Sequence, residues 1–164
     1  RMNFSSSLTQ IYFYLAISII ISSIINWSRS ESLPLIAKPI AKVENIDQIK
    51  DNISDPIIRE IDIIIAKELF QKNTLFIDAR SKEYYLEGHI PNSICNDNLD
   101  SLINNIEEYI SIDDGFVVYC SDDDCGSSEE LAYSLQEQGF LNIYLFKGGW
   151  KQWIDNNLPF EISE

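Results

Sequence analysis

Apolar residues follow two different rhythms along this chain. From Leu8 to Trp27 they run almost without interruption, whereas from Pro56 onward short apolar runs alternate with stretches where they recur every third or fourth position. The short runs predict strands at Ile57–Ile61, Thr74–Ile77, Ser93–Cys95, Phe116–Tyr119 and Asn142–Phe146. The helical spacings predict a helix from an Asp62 cap to about Gln71, with Ile65, Ala66, Leu69 and Phe70 inward. Further helices are predicted from Ser81 through Glu87, closed by Gly88, and around Leu99, Leu102, Ile103, Ile106 and Ile110. Ser127-x-x-Glu130 reads as a capping box before a helix over 128–138 that carries Leu131, Ala132 and Leu135 on one side. A last helix holds Trp150, Trp153 and Ile154. Strands alternating with helices imply an α/β fold, a parallel sheet flanked by helices on both faces. Its functional site is expected at the carboxyl ends of the strands.

The amino-terminal rhythm predicts something else. No charged side chain occurs from Met2 to Ser28, and Ile11 to Ile25 is apolar apart from Ser18, Ser22 and Ser23. About 20 helical residues at 1.5 Å each cross a hydrocarbon layer of roughly 30 Å. Leu8 to Trp27 supplies that length, with Tyr12, Tyr14 and Trp27 near its ends, as interfacial aromatics would be. Residues 1–28 are therefore expected to form one transmembrane anchor. A cleaved signal peptide is the competing reading; Ser22 to Trp27 gives it a poor cleavage site. Arg1 stands against Arg29, Lys38 and Lys42, which leans the domain towards the cytoplasm. Residues 29–55 read as a tether: Pro34 and Pro39 oppose a regular helix, Leu33 to Ile40 suits an extended strip, and Asn45 to Ser54 suits one short amphipathic helix. Residues 56–164 are left as one domain.

Charge narrows the partners. The chain has 164 residues, 12 basic and 26 acidic, for a net charge of −14. Every acidic residue lies after position 30, so a domain this negative should repel nucleic acid. Three cysteines and one histidine make neither a disulfide framework nor a zinc site, and His89 alone is a poor basis for a Ser–His–acid hydrolase.

The candidate chemistry sits where the Phe116–Tyr119 strand gives way to the next helix, in the loop Cys120-Ser121-Asp122-Asp123-Asp124-Cys125-Gly126-Ser127. Loop amides and a helix start converging beside Cys120 favour its thiolate, the nucleophilic form. The three aspartates oppose that effect. Cys120 also reads simply as a small apolar residue ending a buried strand. Five positions separate Cys120 from Cys125, close enough for a disulfide, which makes Cys125 a candidate resolving thiol. Cys95, in a short central strand, reads as an inert buried thiol.

Four motifs resemble the rhodanese-like family. They are Phe76-Ile77-Asp78-Ala79-Arg80 with Glu83-Tyr84, Gly88-His89-Ile90-Pro91, Val117-Val118-Tyr119-Cys120, and Gly139-Phe140 through Gly148-Gly149-Trp150 and Trp153. The resemblance covers roughly residues 56–158 and implies a single rhodanese-like domain. In catalytic members the cysteine after the fourth strand carries sulfur as a persulfide; here that is Cys120. By the same comparison Asp78 and Arg80 form a buried polar pair, and His89 and Pro91 fix a turn. No cofactor and no metal are implied, and the consecutive carboxylates Asp122 to Asp124 lack the spacing of a calcium loop.

The loop departs from the family pattern. It is about two residues longer than in active rhodaneses, is acidic, and holds no basic residue; no arginine follows Arg80. Lys147, after the last strand, is the one candidate cation on the substrate side. The same absence argues against phosphatase relatives, which clamp phosphate with arginine. Three functions stay open: a membrane-anchored sulfurtransferase that is poor with thiosulfate, a thiol-redox protein using Cys120 and Cys125, and a non-catalytic binding module with an acidic loop. The partners implied are a sulfur donor and acceptor, small thiol or protein, and for an anchored chain a membrane protein.

Overall fold

In the structure, a computed structural model, the described residues are 7–28, 40–43, 57–122 and 125–163. The chain divides into two compact units, the second running Ile40–Glu164. In the first, α1 (Ser7–Ser28) is one uninterrupted helix, about 33 Å long at 1.5 Å per residue. It is long and apolar enough to cross a membrane.

The second unit is built on a five-stranded parallel sheet. Its strands are β1 (Ala41–Lys42), β2 (Ile57–Ile61), β3 (Phe76–Asp78), β4 (Gly115–Tyr119) and β5 (Asn142–Phe146), in the order β1-β2-β5-β4-β3. Between and after them come α2 (Ile63–Gln71), α3 (Lys82–Glu87), α4 (Leu99–Tyr109), α5 (Ser127–Glu137) and α6 (Gly149–Asp155). Strands buried on both faces read as continuous apolar runs, and their alternation sends neighbours to opposite sides. Phe76, Val117, Tyr119, Tyr144 and Phe146 face α2 and α6, meeting Ile65, Leu69 and Trp153. Ile77, Phe116, Val118, Ile143 and Leu145 face α4 and α5, meeting Leu102, Ile106, Ala132 and Leu135. Helices thus cover both faces, as the alternating pattern requires.

The elements agree with their local signals in most places. Asp62 caps α2, its Oδ1 accepting from the N–H groups of Ile64 and Ile65 at 3.0 Å each. The stretch read as a third strand is reduced to one bridge, Ile94 beside Ile77. The capping box is not formed: α5 starts at Ser127 with Gly126 as its cap, and no side chain closes it. Gly126 is already in helical conformation and its carbonyl accepts from Glu130 N–H, so Ser127 stands inside the first turn rather than before it.

Strand β1 lies in the stretch the sequence assigns to a tether. It pairs in parallel with β2, and the next residue, Val43, is 3% exposed and donates its N–H to the Glu60 carbonyl. The short helix expected over 45–54 falls outside the described residues. Burying a valine contributes about 1.5–3 kcal/mol. Deleting residues 1–30 should therefore leave a folded domain with a sharp thermal transition. Extending the deletion through Val43 should destabilise the remainder by about 2 kcal/mol or more, read as a lowered melting temperature.

Candidate active site

The strand register decides which residues meet. Asp78, Tyr119 and Phe146 are in register across β3, β4 and β5, and Phe146 is in register with Ile61 of β2. The residues that follow these strands, including Arg80, Cys120 and Lys147, therefore leave the sheet along one edge.

Cys120 is 2% exposed, and its backbone is held from the far side. Its carbonyl accepts the Trp150 N–H at 2.8 Å, and the Ser121 carbonyl accepts the Lys151 N–H at 2.8 Å. These donors come from the first turn of α6, whose N–H groups lack partners inside the helix. The approach demands glycine at 149: its φ is +55°, and a Cβ there would run into the Cys120 carbonyl. From Ser121 the chain turns back, with the Cys125 N–H donating to the Asp122 carbonyl at 3.2 Å. Cys120 and Cys125 are joined as a disulfide, their Cα atoms 6.2 Å apart, a spacing ordinary for such bonds. Ser121, Asp122 and Cys125 are half-buried, while Gly126 and Ser127 are exposed. Asp123 and Asp124 lie outside the described residues. Among the described residues no three His, Cys, Asp or Glu side chains gather as a metal site.

Lys147 leaves the same edge, yet its ammonium is engaged by carboxylates. Nζ lies 3.6 Å from Glu60 of β2 and 3.5 Å from Glu129 in the first turn of α5. Glu60 also lies 3.7 Å from Lys42. These groups are partly in water, so the pairs stabilise the fold little.

Asp78 and Arg80 form the buried pair at the end of β3. The Arg80 Nε and terminal nitrogen donate to both Asp78 oxygens, the shortest contact being 2.6 Å, with side-chain exposures of 5% and 0%. The same terminal nitrogen donates to the Gly88 carbonyl at 2.7 Å. Burial works against the guanidinium charge, but hydrogen bonding and attraction from Asp78 outweigh it and hold the Arg80 pKa above its ordinary value. The guanidinium lies 4.8 Å from the Trp150 ring centre, a cation–π contact. Trp150 and Trp153 stand three residues apart on α6, a spacing that predicts a shared inward face. Only Trp153 is fully buried, its indole N–H donating to the Pro159 carbonyl at 2.7 Å. Trp150 is the lid on Arg80, a role its spacing does not signal.

The motif residue His89, next to the Gly88 held by Arg80, and Cys95, bonded to the Arg80 carbonyl, come next along this edge. The His89 ring stacks on Tyr85 with centroids 3.8 Å apart, and its Nδ1 lies 2.9 Å from the Tyr85 carbonyl. Its backbone exchanges hydrogen bonds with Glu161 as an isolated antiparallel bridge, ahead of the turn at Pro91 and Asn92. Cys95 donates its thiol proton to the Arg80 carbonyl at 3.3 Å. Burial, and then the charge of Asp78, push its pKa up to about 11. Sequence reasoning missed Tyr119, whose hydroxyl accepts the Ile90 N–H and meets Ser93 Oγ, each at 3.2 Å. A tyrosine one residue before the loop, inside an apolar run, was the available signal.

With this geometry in view the relatives agree. The model of the rhodanese-like domain matches residues 64–156, and the chain belongs to that family. Thiosulfate sulfurtransferase GlpE of Pseudomonas syringae is 32% identical over 88 residues, covering 54% of this chain and 79% of that one. The GlpE of Pseudomonas fluorescens is 31% identical over 101 residues, covering 60% and 85%. The crystal structure of a rhodanese-related protein from Thermoplasma volcanium matches with a TM-score of 0.51 at 25% identity, covering 63% of this chain and 97% of that one.

Removing one partner of a buried ion pair leaves a stranded charge, at a cost of about 3–5 kcal/mol. Arg80→Ala should lower the unfolding free energy by that order in denaturant titration, well beyond the effect of Lys147→Ala. For Cys95 the pKa is raised from 9.0 to about 11. The neutral thiol is the form the fold favours, so its stabilising contribution is complete below pH 9 and lost as pH rises through 11. Alkylation of the reduced native protein at pH 8 should accordingly leave Cys95 unmodified while Cys125 is labelled, as peptide mass mapping would read.

Proposed function

We propose that this chain is a rhodanese-type sulfurtransferase, anchored by α1 in a membrane, in which Cys120 carries sulfane sulfur as a persulfide. In the reduced protein the Cys120 thiolate attacks the outer sulfur of a donor persulfide. A sulfur–sulfur bond forms on Cys120, the donor's own sulfur–sulfur bond breaks, and the donor departs as a thiolate with the electron pair. An acceptor thiolate then takes the same sulfur and returns Cys120 to its starting state. The observation that carries this reading is the placement of Cys120. It follows β4 at the sheet's carboxyl edge, opens the loop before α5, and has its carbonyl tied to α6.

Kinship with proteins named thiosulfate sulfurtransferases favours sulfur transfer, while the local charges argue against thiosulfate itself. Arg80 is committed to Asp78 and the Gly88 carbonyl, and Lys147 to Glu60 and Glu129. A dianionic donor would meet the aspartates of the loop, each close charge opposing it by about 1 kcal/mol at surface dielectrics. Neutral or protein-bound persulfides escape that penalty. A second reading, a thiol-redox protein, is favoured by the Cys120–Cys125 disulfide. Sulfur loading separates the two: the reduced Cys125→Ser protein gains one sulfur in intact mass after incubation with donors only in a sulfurtransferase, and Cys120→Ser should abolish the gain.

Turnover with thiosulfate should be slow beside turnover with an alkyl persulfide, and added salt should narrow the gap by screening exposed charge. Replacing Asp122, Asp123 and Asp124 with asparagine should raise the thiosulfate rate by about fivefold or more. An unchanged rate would remove the electrostatic explanation. Anchoring is checked by a carbonate wash of membranes, which should leave the full chain in the pellet; release would favour a cleaved segment.

A further inference from the structure

We propose that Cys125 is the resolving thiol of the persulfide on Cys120, so that this domain releases hydrosulfide by itself and ends each such cycle as the observed disulfide. The proposal rests on the reading of Cys120 as the sulfur carrier and adds a second outcome for the carried sulfur.

The two thiols stand on unlike supports. Cys120 is fixed by the bonds of its own carbonyl and that of Ser121 to α6, and a side chain at Gly149 would break that seat. Cys125 sits on the returning arm of the loop, half-buried, one residue before the Gly126 cap of α5. In the disulfide the Cys125 sulfur is bonded to the Sγ of Cys120, with the Cα atoms 6.2 Å apart, so this loop brings the two sulfurs together. In a persulfide that Sγ is the inner sulfur. Attack there expels the outer sulfur as hydrosulfide, and thiol–disulfide exchange runs faster the more acidic the leaving group. Cys95 cannot compete for this role, because its thiol is committed to the Arg80 carbonyl and its pKa is pushed up to about 11.

The step balances without any outside reagent. The Cys125 thiolate forms a bond to Cys120 Sγ as the bond from Sγ to the sulfane sulfur breaks. The electron pair and the persulfide proton leave on that sulfur as HS⁻. The two cysteine sulfurs are oxidised to a disulfide and the sulfane sulfur is reduced to hydrosulfide. A dithiol reductant, protein or small molecule, returns the disulfide to two thiols before the next cycle.

Whether sulfur goes to an acceptor or leaves as hydrosulfide is then a race between an external thiolate and Cys125. The test uses the full chain in detergent, reduced and freed of reductant under anaerobic conditions. It is loaded with glutathione persulfide, desalted at once, and followed by intact mass and by bimane trapping of hydrosulfide. Wild type should release one equivalent per chain and finish two hydrogens lighter than the reduced protein. Cys125→Ser and Cys125→Ala should hold sulfur on Cys120 and release it about tenfold more slowly or worse. Release from both variants at the wild-type rate, or a wild-type chain that keeps its persulfide, would overturn the role of Cys125 and leave Cys120 as carrier. If neither wild type nor variant gains sulfur, the carrier assignment fails, and the resolving step goes with it.

Discussion

An ion pair with almost no water around it holds the carboxyl edge of this sheet together. Asp78 and Arg80 close the end of β3, and each remaining group of Arg80 ties down another piece of the edge. Its terminal nitrogen holds the Gly88 carbonyl at the end of α3, and its own carbonyl takes the Cys95 thiol. Its flat face lies against Trp150, whose backbone N–H in turn holds the Cys120 carbonyl. A chain of contacts thus runs from β3 through α6 to the loop that carries the candidate nucleophile. Two buried charges are costly to desolvate and are tolerated when every hydrogen-bonding group is satisfied. Here they are spent on positioning, since neither faces the loop as a free charge.

The consequence for electrostatics is unusual for a domain expected to handle anionic sulfur. Two cations at this edge are already answered, Arg80 by Asp78 and Lys147 by Glu60 and Glu129, while Lys151 of α6, whose backbone N–H holds the Ser121 carbonyl, is exposed. Against the net charge of −14, Lys151 is the one lysine beside the loop, among the described residues, with no carboxylate ion pair. Recognition of a donor has to come from loop amides, from Lys151, from apolar contact, or from a partner that brings its own positive charge.

Much of this was readable in the sequence because the relevant signals are local. Phe116 to Tyr119 and Asn142 to Phe146 form continuous apolar runs, since a parallel sheet buries both faces of its strands. Asp62 caps its helix from the position its side chain alone predicts. The elements that escaped depend on distant partners. Ala41 and Lys42 are exposed and have no strand signature; they form a strand because β2 offers a free edge. Ser127 and Glu130 have the spacing of a capping box, but the loop arrives with Gly126 already helical, which moves the helix start by one residue. Trp150 and Lys147 take their roles from Arg80, Glu60 and Glu129, which stand on other elements, and no local pattern encodes those meetings.

The fates of the three cysteines follow from which backbone groups surround each sulfur. Cys95 is buried beside Asp78 and donates to the Arg80 carbonyl; burial first, and then the negative charge, favour keeping its proton. Cys120 has the opposite arrangement: its carbonyl is drawn away into α6, leaving its side chain to the loop. Cys125 is held by the turn that bonds its N–H to the Asp122 carbonyl, which brings its sulfur back over Cys120. Burial alone would rank the two buried thiols alike, at 8% exposure for Cys95 and 2% for Cys120. Their bonding separates them: Cys95 is a free thiol beside Asp78, whereas Cys120 is joined to Cys125. At Cys95 burial, and then the charge of Asp78, keep the thiol protonated, with its proton donated to the Arg80 carbonyl. At Cys120 the neighbouring acceptors are occupied by α6, and the sulfur is left to the chemistry of its loop.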